Sequence, residues 1–83
     1  MFVFVAGIPV RDEAILDLAR LVDDPDLAAK LDENYSRGTK VLALTIPERT
    51  TILAALEDAP ADLTELRGVL LEEHVGRVRD GLV

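Results

Sequence analysis

Four prolines, at positions 9, 25, 47 and 60, divide this chain, and each stands ahead of a run with helical periodicity. Proline fits the first turn of a helix, where its missing N–H would be unpaired anyway, and it breaks a helix interior. A chain punctuated in this way is expected to fold as short helices with short connections.

Residues 12–22 give the first helix. Ile15, Leu18, Ala19 and Val22 follow the spacing of one helical face, and Asp12 and Glu13 complement the dipole of its first turn. Asp24 is a preferred N-cap ahead of Pro25, and Gly38 a preferred stop, so a second helix fills the interval, with Leu27, Leu31 and Tyr35 on its apolar face. Thr45 and Glu48 have capping-box spacing around Pro47, and start a third helix faced by Ile46, Ile52, Leu53 and Leu56. Pro60 and Asp62 open a fourth helix that reaches about Arg79, with Gly81 as its stop and Gly76 weakening its last turn. The apolar run at residues 2–6 suits a short strand, which Gly7 and Pro9 end, and the run at 41–44 reads equally as a strand pairing with it, an extended linker or a helical turn. The first run reads either as an internal strand or as an edge strand that pairs with its copy in a second subunit. The expected fold is mainly α, a compact four-helix domain with two short strands, formed by residues 1–83 as one domain.

At 83 residues the margin of stability is thin, and no cysteine supplies a disulfide or a thiolate metal site. Association with another chain is the remaining route to extra stability. No basic segment precedes the apolar N-terminus, and no apolar run approaches the ~20 residues of a membrane span, so a cytoplasmic location is expected. The net charge of −7 disfavours nucleic acid and anionic membranes as partners. Eight acids and two bases between residues 12 and 34 place most of that charge on the first two helices.

Familiar chemistry is missing. His74 is the only histidine and Ser36 the only serine, so a histidine metal site cannot form in one chain and a catalytic triad would need Ser36, His74 and an acid to meet through folding. The aspartates at 23, 24 and 26 lack the pattern of a calcium loop, and the scattered glycines form no phosphate loop. No cofactor and no metal are implied.

The fourth helix is the most informative element. Leu63, Leu66 and Leu70 form one apolar stripe, and Leu71, Val75, Val78 and Leu82 form a neighbouring one. A face this broad is expected to meet two neighbours, within the fold or in a partner chain. Arg67 and His74 project between the stripes and need a partner there, with Glu48, Glu57, Asp58 or an acid of another subunit as candidates. With Arg77 they form either a pocket for an anionic ligand or, more economically, a structural seam. Arg49 falls within the apolar face of the third helix and is expected to link it to the fourth through an acid.

Asp-Asp-Pro-Asp-Leu-Ala-Ala-Lys-Leu at 23–31 and Leu-Thr-Ile-Pro-Glu-Arg-Thr-Thr-Ile-Leu-Ala-Ala-Leu at 44–56 resemble a helix pair of small bacterial families. Two such are the small helical subunit of LigAB-type extradiol dioxygenases and the Nif11-like leader peptides. As a whole the chain resembles an uncharacterised family of small bacterial helical proteins. The resemblance implies a helical module and carries over no functional residue.

Three roles follow as expectations. The first is a non-enzymatic structural or interaction module, a homo-oligomer or an accessory subunit. The second is an acidic regulator, such as an antitoxin-like inhibitor or nucleic-acid mimic, that occupies a basic cleft. The third is a small anionic-ligand binder that uses the fourth helix.

Overall fold

The computed structural model describes residues 2–81. Strands β1 (Phe2–Val5) and β2 (Ile8–Arg11) are followed by helices α1 (Asp12–Leu21) and α2 (Pro25–Arg37). Strand β3 (Val41–Leu42), helix α3 (Ile46–Ala55), a 3-10 turn (Ala61–Leu63) and helix α4 (Thr64–Arg79) complete the order. The domain is mainly helical, with four helices and a small sheet of three strands in the order β2-β1-β3.

The second strand is a departure from the sequence reading, in which Gly7 and Pro9 only end the first. Ala6 and Gly7 both take positive φ, +52° and +79°, so the chain reverses in two residues and returns antiparallel, with Val5 opposite Ile8. Positive φ at both central residues matches the right-handed twist of a hairpin. Two-residue closure makes Val5 and Ile8 a hydrogen-bonded pair, which leaves Phe4 and Pro9 as a non-hydrogen-bonded pair. Pro9 therefore turns its nitrogen away from β1, and the ladder loses no bond. The backbone of Phe4 also turns away from β2, and its N–H donates to Lys40 O at 2.8 Å, which recruits β3 in parallel. β1 is thus the central strand with both edges occupied, so the reading as an edge strand open to a second subunit does not hold.

β1 alternates sharply. Val3 and Val5 are buried with Val10 and Leu42 against the helices, while Phe2 and Phe4 face outward beside Val41. Ile15 and Leu18 of α1, Leu27 and Leu31 of α2, Ile52 and Leu56 of the α3 segment, and Leu63, Leu66 and Leu70 complete one core. Asp24 caps α2 by accepting from the N–H groups of Asp26 (3.0 Å) and Leu27 (3.2 Å), and Gly38 ends the helix at φ +66°. Tyr35 is not on the buried face, contrary to expectation. That place belongs to Asn34, whose Nδ2 reaches Val41 O at 3.5 Å and covers the outer side of β3. Ile46 is also exposed, because it precedes the turn at which α3 meets the core.

Candidate functional site

Glu48 ties α2 to the start of α3. Its Oε1 accepts from the N–H of Thr45 at 2.8 Å, and the Thr45 hydroxyl accepts from the Glu48 N–H at 3.3 Å, which closes the capping box. The same Oε1 receives Lys30 Nζ of α2 at 2.8 Å. The Lys30 hydrogen bond, and after it the Thr45 N–H, hold the Glu48 carboxyl below its ordinary value of 4.5. A carboxylate favoured in the folded state stabilises fully above that ordinary value, and the stabilisation is lost as pH falls through the lowered one. Glu48→Gln keeps an acceptor for Thr45 but loses the charge. It is expected to cost up to about 1 kcal/mol at neutral pH and to flatten the acid loss of stability. Thermal melts at pH 7 and pH 3 measure both effects, and parallel losses in the two proteins would remove Glu48 as the source.

Arg49 forms the link between α3 and α4, and the acid it uses is Glu73. Arg49 Nη1 lies 2.7 Å from both Glu73 oxygens, and Arg49 Nε donates to Leu44 O at 3.3 Å. Both side chains are half-buried, so neighbouring side chains partly shield the pair from water. The sequence reading names no particular acid for Arg49, but the spacing of Glu73 marks it: Leu66, Leu70, Glu73 and Arg77 follow a helical repeat along one face.

Arg67, His74 and Arg77 are half-buried along α4. Arg67 Nε, His74 Nδ1 and Arg77 Nε are buried without a hydrogen-bond partner. Glu48 is committed to Lys30 and Thr45, and Glu57 and Asp58 are exposed. None of the four best-formed surface clefts among the described residues is lined by Arg67, His74, Arg77 or Arg49. Those four clefts do not bring these residues together. Half-burial is common for long basic side chains, whose stems can cover apolar surface while the head reaches water.

The two stripes of α4 separate clearly. Leu66 and Leu70 are buried and Leu63 just ahead of them is at 0% exposure, whereas Leu71, Val75 and Val78 are 38%, 47% and 55% exposed. The second stripe is left uncovered by the described residues; Leu82, assigned to it from sequence, lies outside them. A second uncovered apolar patch is formed on the sheet by Phe2, Phe4 and Val41.

Several of the eight acids between residues 12 and 34 have local partners. Asp24 is a cap, Asp17 lies 3.6 Å from Arg20, and Glu33 lies 2.8 Å from Arg37. Among the described residues no three His, Cys, Asp or Glu side chains could hold a metal ion, and no helix is long and apolar enough to cross a membrane. No family model matches the chain, and no curated protein or solved structure matches it.

Proposed function

We propose that the protein is a non-enzymatic interaction module that self-associates through α4. One observation carries this reading. Leu66 and Leu70 meet the needs of the core, yet the same helix exposes Leu71, Val75 and Val78 in a continuous row. Apolar residues scattered singly on a surface need no explanation, but a row at helical spacing is what an uncovered helix–helix contact looks like. The short chain and its lack of disulfides make association a useful source of stability.

Sedimentation equilibrium tests the proposal. The weight-average mass is expected to rise between low and high micromolar protein, and Val75→Ser is expected to suppress that rise without shifting the urea midpoint measured at low micromolar protein, where wild type is also monomeric. A strict monomer across the whole range would overturn the reading.

A further inference from the structure

We propose that the occupant of the α4 stripe is the antiparallel α4 of a second copy, held in register by Glu65 of each chain against Arg79 of the other. This inference rests on self-association through α4 and adds its geometry. Thr64, Gly68, Leu71, Val75 and Val78 alternate in steps of three and four, the repeat by which two helices pack along a shared seam. All five are exposed. Gly68 has no atom within 4 Å of where a Cβ would stand, which leaves room on the seam for Val75 of the second copy.

Charge along one flank of the stripe suits an antiparallel pair. Glu65, Glu72 and Arg79 recur every seven residues, so they share one flank of the stripe, and all three are exposed. A parallel pair would carry this flank of the two copies to opposite sides of the seam, so Glu65 and Arg79 would not meet across it. An antiparallel pair centred near Glu72 sets Glu65 against Arg79 twice and leaves one like-charge contact at the axis. The helix dipole favours an acid early and a base late within each monomer as well, so the arrangement has no conflict with the fold. Such a pair is isologous and closes on itself as a dimer.

The 16 residues of α4 span about 24 Å. One contact of that length lies at the small end of specific interfaces, so a dissociation constant on the order of tens of micromolar is expected.

Charge exchange provides the test. Glu65→Lys and Arg79→Glu each turn both cross-chain pairs repulsive, and each is expected to weaken dimerisation about tenfold. In a mixture of the two variants, one cross-chain pair sets the introduced lysine of one chain against the introduced glutamate of the other. The second pair is the native Glu65 against Arg79. The mixture is expected to recover affinity within about threefold of wild type by sedimentation equilibrium. Both positions are exposed, and thermal melts of the variants that match wild type at low micromolar protein, where all are monomeric, confirm that the fold is intact. Single variants that dimerise like wild type, or a mixture that does not recover, would overturn the antiparallel geometry. In either case a wild type that associates and responds to Val75→Ser leaves the reading of α4 as the contact surface standing. A wild type that stays monomeric removes both.

Discussion

Leu66→Ala is expected to destabilise the protein by about 2–5 kcal/mol, and Leu71→Ala by about 0.5 kcal/mol or less. The two leucines lie five residues apart on one helix, and the substitution is the same, so helix propensity cancels in the comparison. What differs is surroundings. Leu66 is fully enclosed at 0% exposure, and its loss leaves a cavity that close-packed neighbours only partly fill. Leu71 is 38% exposed, and its truncation opens the surface to water without a void. A domain of this size commonly has only about 5 kcal/mol or somewhat more in total, so Leu66→Ala is expected to be partly unfolded at room temperature. Urea titration of both variants measures the difference. Equal losses would mean that the two stripes are not separate, and the α4 surface would lose its basis.

The second large effect concerns Arg49 and Glu73. Arg49→Met and Glu73→Gln are each expected to cost about 1–2 kcal/mol, because each leaves a half-buried charge without its partner. The double variant is expected to cost less than the sum of the singles, with a coupling of about 1 kcal/mol. Arg49→Met is the costlier single change, since it also leaves Leu44 O without the Arg49 Nε donor. Additive losses in the double-mutant cycle would show that the 2.7 Å contacts do not join α3 to α4.

Signals that act within a few residues are legible in the sequence, and those that depend on the whole fold are not. Asp24, Pro25 and Gly38 bound α2 because capping and left-handed backbone are local requirements. Thr45 and Glu48 set the start of α3 for the same reason. Pro9 reads as a breaker, but in β2 its ring sits where no ladder donor is needed, and that depends on the hairpin register. The run Phe2 to Val5 is apolar throughout, so it conceals which face is inward. The smaller valines fit beneath the helices and the phenylalanines remain outside. Tyr35 and Asn34 are one step apart on the same helical edge. Asn34 goes inward because its amide can serve Val41 O, a group 7 residues away. At the candidate site, spacing alone places Arg67 and His74 between the stripes of α4, but a stripe's spacing is the same whether a neighbour covers it or not. Only the packing of α3 and β2 against the other side of α4 shows which stripe is left open.

The sheet edges bear on what happens when this protein becomes concentrated. On β2 the outward backbone position falls on Pro9, which has no proton to give, and β3 is two residues long with Asn34 Nδ2 over its Val41 carbonyl. Fibril growth by strand addition needs a continuous row of free donors and acceptors, and each edge here is interrupted within a residue or two. Crowded copies therefore meet through side chains, and the contacts they make can end at a pair instead of extending into a filament.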